Sequence, residues 1–343
     1  MNLLRSRMPQ RWRPRVAATA WGRRVEIAAL LGGWAWVSLM CWLVLSRSAS
    51  LTFPTHVTVL LQSITPLAFL PVYLVLVVAI VRRRWVQSVA AVVLIVIHIA
   101  SVAPALGSRE LPRWTTSASR LRVLSANVYD ANPTPAAAAV FLVRQPVDVL
   151  VLVEITRDMQ RALDAAGVDD RFPFHQSGEF TEGTRGIEAI YSRRPLSGAA
   201  NVSVGVQAFP TAAVEMESAR LRLVAAHVED PVADPHEWST ELDDLLAIAR
   251  SESGPSVIAG DFNSTRWNPE FGALLGRGLH DADESRGQGL TFSWPENRLL
   301  PFPVMRLDHA LGTVGAEAVH VRNVDVPGSD HRGLDVTWAV RHQ

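Results

Sequence analysis

The stretch VIAGDFNSTRW, Val257 to Trp267, ends an apolar run on two polar side chains, Asp261 and Asn263. The run itself reads as a buried strand. In an extended segment residues i and i+2 point to the same face, so the acid and the amide are expected to reach one point in space. A strand end followed by an Asp/Asn turn is written with the same letters. The rest of the chain decides between a site and a turn.

Working outward, short apolar, often β-branched runs alternate with helix-like stretches from Leu121 onward, the pattern of a mixed α/β domain. The expected strands are RVLSANV, VDVLVLVE, EAIYS, LRLVAAHV, SVIAGDF, LDHAL, AVHVRNV and LDVTWAV. The expected helices are Pro135 to Arg144, Arg157 to Ala166 and Glu237 to Arg250. Polar residues of a few types recur at the strand ends. Asn127 closes the first strand, Glu154 the second and His227 a middle one; Asp261 and Asn263 follow, Asp308 lies in a later strand, and Asp330 with His331 precede the last. Such ends are the usual place for a site, because a loop opens there without disrupting the core.

The preceding hundred residues are a different object. Residues 1–106 carry 11 Arg and one acid, Glu26, whereas residues 107–343 carry 22 Arg and 32 acids, so a net charge of zero conceals two oppositely charged halves. Every basic residue is Arg, and the single Cys41 excludes both a disulfide framework and a cysteine zinc site. A hydrophobic fraction of 48% and a mean hydropathy of +0.14 point to membrane. Three apolar stretches, Val25–Leu45, Val57–Val81 and Trp85 to Leu106, exceed the roughly 20 residues that span a hydrocarbon core of about 30 Å.

Arg5, Arg7, Arg11, Arg13, Arg15, Arg23 and Arg24 precede the first stretch, and Arg82, Arg83 and Arg84 separate the second from the third. By the positive-inside rule both clusters are cytoplasmic, which puts everything after Gly107 outside the cytoplasm. Pro66 and Pro71 mark the middle stretch for a kink or a re-entrant pair, and a re-entrant pair would leave the domain after Gly107 inside. The expected organisation is a basic cytoplasmic N-terminus (1–24), a three-helix anchor in the cell membrane (25–106), a polar linker (107–120) and a catalytic domain (121–343). His98, inside the third stretch, is expected to be a neutral imidazole bonded to a neighbouring helix.

The ordered strings SANV, VDVLVLVE, GIEAIYSRRPL, AAHVEDP, GDFN, RLDHAL and GSDHR resemble the endonuclease/exonuclease/phosphatase superfamily of metal-dependent phosphoesterases. Each string is weak alone; seven in family order are not. The resemblance implies a DNase I-like α/β sandwich of two packed sheets, here preceded by three transmembrane helices. It implies that Glu154, helped by Asn127 and Asp330, holds the metal. It further implies that His331 sits beside the attacked phosphorus with Asp308 fixing its orientation, that Asp261 orients the attacking water or assists the leaving group, and that Asn263 and His227 bind the phosphoryl oxygens.

The residue types agree. Glu154, Asp261, Asp308 and Asp330 gathered in one pocket repel one another unless a cation or a protonated histidine lies among them. Oxygen donors without cysteine favour Mg²⁺ first and Mn²⁺ second. His309, His175, His236, His280 and His320 match no motif and are expected to be structural; Glu188 either faces solvent, the favoured reading, or orients His227.

His227 stands where the apurinic-site endonuclease branch of the superfamily usually carries Tyr. The acidic outer half disfavours nucleic acid, whose phosphates are bound with Lys and Arg. Tethering favours a substrate held at the same bilayer: a lipid-borne phosphate or pyrophosphate, or a phospholipid. The loop WPENRLLPFPV, Trp294–Val304, is a candidate membrane contact. The layout resembles the actinobacterial teicoplanin-resistance membrane proteins, which implies undecaprenyl pyrophosphate or a related intermediate and a role in antibiotic resistance. An anchored extracellular nuclease and a non-catalytic binding module are the alternatives.

Overall fold

The computed structural model describes residues 20–48, 56–181, 184–251, 254–296 and 302–342. Arginines 5 to 15 and positions 297–301 of the loop after Trp294 lie outside the described residues.

The N-terminal part is helical: α1 Ala20–Ser48, α2 His56–Ser63, α3 Thr65–Ala68, α4 Leu70–Val81 and α5 Trp85–Leu106. Two of these, over Trp21–Arg47 and Trp85–Leu106, are long and apolar enough to cross a membrane. The middle stretch is not one helix: between His56–Ser63 and Thr65–Val81 the axis bends by 77°. Pro66 and Pro71 each start a helix, where a missing N–H costs nothing. The expectation of three transmembrane helices is corrected to two that are long and apolar enough, with a bent pair between them that has the form of a broken span or a re-entrant loop. The far ends of the bundle are tied by charge, since Arg82 reaches Glu26 at 2.7 Å and Arg84 donates to the Glu26 carbonyl at 3.2 Å. Val37, Met40 and Leu43 pack against Phe69, Val72, Ala91 and Leu94 at the centre. His98 bonds the Tyr73 hydroxyl at 3.0 Å and stacks on Phe69, as expected of a buried imidazole.

The rest of the chain is a two-sheet α/β sandwich. Its strands are β1 Ser119–Asn127, β2 Val149–Ile155, β3 Phe174–Ser177, β4 Ile187–Ser192, β5 Leu196–Val204, β6 Gln207–Glu215, β7 Arg220–His227, β8 Ser256–Asp261, β9 His280–Asp281, β10 Asp308–Gly312, β11 Ala316–Asp325 and β12 Arg332–Val340. Its helices are α6 Pro135–Val143, α7 Arg157–Ala165, α8 Val168–Arg171, α9 Pro235–Ser251, α10 Pro269–Gly276 and α11 Ala282–Ser285. One sheet runs β11-β12-β1-β2-β4-β3 and the other β5-β6-β7-β8-β10-β9.

Alternation along the strands builds three apolar layers. Leu121, Val123, Val149 and Val151 meet Leu223, Ala225, Val257 and Ala259 between the sheets. Leu124, Ala126, Leu150 and Leu152 turn the other way, onto α6 and α7, while Val224, Ala226 and Ile258 turn onto α9 and α10. Both faces are covered, which is why these strands read as unbroken apolar runs.

The anchor and the domain meet at two seams. At the end of α5, Gly289 N–H donates to the Ala105 carbonyl and Arg109 N–H to that of Ser285, both at 2.9 Å. The expected linker is therefore packed rather than free, with Arg341 over the Trp114 ring. The second seam is α2. Val59 is buried in the layer with Val224, Trp238 and Phe262, and Asn268 Nδ2 donates to the Val59 carbonyl at 3.1 Å.

Candidate active site

Topology brings the strand-end residues to one rim. β1 and β2 are parallel, as are β7 and β8, so Asn127, Glu154, His227 and Asp261 all stand at carboxyl ends, with His227 level with Asp261. β10 and β12 run antiparallel to these, so Asp308 and the pair Asp330–His331 arrive at the same rim from strand starts. All but Asn127 and Asp308 line one cavity of about 720 Å³, and those two touch its members directly.

Two glycines make the approach of these chains feasible. At Gly260, with φ +146°, a Cβ would lie 1.9 Å from the Ala226 carbonyl oxygen, so β7 and β8 close on each other immediately before Asp261. At Gly186 a Cβ would lie 2.9 Å from the backbone of Glu154. Glu154 itself has φ +60°, within a register break between β2 and β4, an uncommon conformation for a side chain of this size.

Asn127 binds the two sheets' acids together. Its Nδ2 donates to Glu154 Oε1 at 2.8 Å and to Asp261 Oδ2 at 3.0 Å, while its Oδ1 accepts the Tyr129 N–H. Its amide thus holds carboxylates in place. Glu154 also accepts the Asp130 N–H at 2.8 Å. His227 lies between Glu154 at 3.4 Å and Glu188 at 3.5 Å. Burial alone would raise the Glu154 carboxyl, but His227, Asn127 and the Asp130 N–H outweigh it and hold it at about 2. Burial alone would lower the His227 imidazole, but the two glutamates raise it well above its usual value.

His331 forms the second centre. Its Nδ1 lies 2.8 Å from Asp308 Oδ2 and its Nε2 3.6 Å from Asp261 Oδ2. Against burial, the carboxylates of Asp308 and Asp261 raise it to about 10. The Asp261 carboxyl is pushed up by burial and by Asp308, against the pull of His331. Ser329 fixes the backbone here, accepting the His331 N–H and donating to the Asn127 carbonyl. Asp330 accepts from Trp294 Nε1 at 3.2 Å.

Asn263 reaches the cavity by a turn, not by strand alternation. Its φ is +45°, its N–H donates to Asp261 Oδ1 at 2.8 Å, and its Nδ2 donates to the Val228 carbonyl at 2.9 Å. The strand geometry expected of GDFN is corrected here: an Asx-type turn, not the i, i+2 alternation, places the amide beside the acid.

A divalent ion fits the donors. Glu154, His227 and Asp261 each offer an atom within 4.8 Å of the others, as do Asp261, Asp308 and His331. Asp308 Oδ1 is buried with no hydrogen-bond partner, an oxygen of the kind a cation or its water satisfies. Glu154 and Asp261 supply the hard oxygens; Asp330 lines the cavity but belongs to neither donor set.

Glu188 is the residue that sequence reasoning undervalued. All of β4 is buried, so Glu188 faces His227 rather than solvent. Among the others, His309 is structural as expected, with Nδ1 2.5 Å from Asp281 and Nε2 3.0 Å from the Ser264 carbonyl.

A family model described as "Endonuclease/Exonuclease/phosphatase family" matches residues 124–331. No curated protein matches the chain. Among solved structures, D. rerio TDP2 complexed with single strand DNA product is 18% identical, over 65% of this chain and 100% of that one, with a TM-score of 0.54. Truncated Caenorhabditis elegans TDP2 is 15% identical over 64% and 98%, with a TM-score of 0.52. An endonuclease/exonuclease/phosphatase from Bacteroides vulgatus is 13% identical over 65% and 99%, with a TM-score of 0.51. At such identities the likeness is one of fold.

Proposed function

The chain belongs to the endonuclease/exonuclease/phosphatase family, whose members are divalent-metal-dependent phosphoesterases and nucleases, and on that premise we propose that it is a membrane-anchored phosphohydrolase acting outside the cytoplasm on a lipid-linked phosphate or pyrophosphate. The observation that carries the reading is the composition of one cavity: Glu154, Asp261 and His331 share it with Leu60 and Ser63 of the membrane-anchor helix α2. A site walled by its own anchor suits a substrate held at the bilayer.

The charge at the mouth points the same way. Asp130, Glu188, Glu229 and Asp230 line it, and Arg185 is the only Arg among the described lining residues. A polyanionic strand gains its affinity from Lys and Arg, so the nuclease reading is the weaker one.

Held by Glu154, a Mg²⁺ or Mn²⁺ ion would neutralise charge on the phosphoryl group. The chain's own groups do the remainder. Asp261 takes a proton from water as the water oxygen bonds to phosphorus and the bond to the leaving phosphate or alkoxide breaks. His331 is held protonated by Asp308 and donates to a phosphoryl oxygen as charge accumulates there, with His227 and Asn263 as further donors.

On this reading the basic ends of the anchor, including Arg23, Arg24 and Arg82–Arg84, lie in the cytoplasm and the broken stretch α2–α4 makes the second crossing. The resemblance in layout to teicoplanin-resistance membrane proteins makes undecaprenyl pyrophosphate the first substrate to try. The test is phosphate release from a polyprenyl pyrophosphate against cleavage of plasmid DNA, both by the full-length protein with Mg²⁺ and with His331→Ala as control. Cleavage of DNA alone overturns the reading, and activity that survives His331→Ala removes the assigned site.

A further inference from the structure

Helix α2 counts toward a membrane-crossing segment only together with the helices beyond its bend, and one side of it is seated on the sandwich domain. Val59 is 1% exposed in the domain's outer core. Ser63 Oγ donates to Asn268 Oδ1 at 3.1 Å, and His56 Nδ1 lies 3.2 Å from the Pro231 carbonyl. The last contact ties α2 to the loop between β7 and α9, which carries Val232.

The other side of α2 is open. Leu60 lines the catalytic cavity and is 43% exposed, Val232 lines it and is 46% exposed, and Val57, one turn before Leu60, is 64% exposed. These apolar groups stand at the mouth of a cavity whose interior is carboxylate and imidazole. Beyond the 77° bend the same segment becomes α4, where Leu70, Leu74 and Val77 are exposed on the anchor's outer surface. Exposed apolar side chains therefore stand both at the mouth of the phosphoryl site and on the outer surface of α4, and exposed apolar surface at a cavity mouth marks a membrane or ligand contact.

We propose that Leu60 and Val232 form the subsite for the hydrocarbon segment adjoining the phosphate of a membrane lipid, so that an anchor helix sets the specificity of the catalytic domain. The proposal rests on the lipid-phosphate reading above. A lipid whose head group sits against Asp261 and His331 has its first chain carbons at this lip, and a water-soluble phosphate ester gains nothing from it.

The experiment uses the full-length protein in lipid nanodiscs with Mg²⁺, and methyl, geranyl and farnesyl pyrophosphates as substrates. The readout is the ratio of kcat/KM for farnesyl to that for methyl pyrophosphate. Leu60→Asn and Val232→Asn are each expected to lower this ratio by roughly ten-fold, the order associated with one apolar side-chain contact. Leu60→Met is expected to retain it, and so is Val77→Asn on the outer surface of α4. A ratio unchanged in Leu60→Asn and Val232→Asn overturns the subsite, as does an equal fall in Val77→Asn. If the unaltered protein cleaves DNA and none of the pyrophosphates, the lipid reading itself has failed and the subsite falls with it; turnover of farnesyl pyrophosphate with an insensitive ratio removes the subsite alone.

Discussion

Asp261 and Asp308 are directly opposite one another on the antiparallel pair β8 and β10, two carboxylates on one rung, and His331 reaches both. Like charges so placed destabilise a sheet. The imidazolium between them makes the pairing tolerable, and in the reaction proposed above the same group faces the phosphoryl oxygen. His331→Ala is expected to lower the melting temperature in EDTA at neutral pH, and by less in an Asp308→Asn background, a coupling of roughly 0.5–3 kcal/mol. Phosphate release should fall by about 10²-fold or more. Equal thermal shifts in the two backgrounds would show that the carboxylates do not repel through this rung.

Metal binding is expected to stabilise the fold through Glu154. With Mg²⁺ at a hundred times its Kd, the gain is about 2.7 kcal/mol for an ion that binds only the folded state. Glu154→Gln keeps the hydrogen-bonding shape and removes the charge, so its melting temperature should respond little to Mg²⁺. A response as large as that of the unaltered protein would place the ion elsewhere.

Gly186→Ala tests the backbone beneath that ligand. The added methyl would lie 2.9 Å from Glu154 backbone atoms, which cannot yield as a flexible side chain would. A loss of roughly 1–3 kcal/mol is expected in chemical denaturation, with a weaker Mg²⁺ response from the displaced carboxylate. Unchanged stability would mean that the β2 bulge relaxes freely.

Acid stability should depend on Asp335, far from the site. It is buried on β12, accepts from Arg122 at 2.7 and 2.9 Å and from Arg322 at 2.8 Å. Burial opposes its ionisation, but these guanidinium bonds outweigh it and hold its pKa below the usual 3.8. A carboxyl lowered on folding contributes in full above its unfolded pKa and loses that contribution as pH falls through the folded one. Asp335→Asn should therefore cost roughly 1–3 kcal/mol at pH 7 and progressively less below about pH 4, as read from denaturation midpoints against pH. A difference that stays constant down to acid pH would count against the ion pair.

Much of the sandwich is legible because its central strands are buried on both faces. All eight expected strands form, and the three expected helices form within a few residues of their expected ends. The hairpin β5–β6 is not legible. β5 is an edge strand with Gly198 and exposed small residues, and Pro210 within β6 reads as a strand breaker. It is tolerated because the β6–β7 ladder begins only at Thr211.

The candidate site was legible as an ordered set of strand ends, since a polar residue closing an apolar run needs a reason. Glu188 offers a weaker signal, since a carboxylate on a strand more often faces solvent than a histidine. Leu60 offers none: its letters match those of any membrane helix, and only the bend after Ser63 carries it to the cavity.

Val59, socketed under α9 and α10, has a consequence for how such a protein can be handled and how it can evolve. A cut between α5 and β1 would leave the sandwich with a hole where that valine sat and with Asn268 deprived of its carbonyl partner. A sandwich cut at that boundary is expected to lose stability to the cavity it gains, and a helical segment borrowed from another protein would have to bring a matching plug.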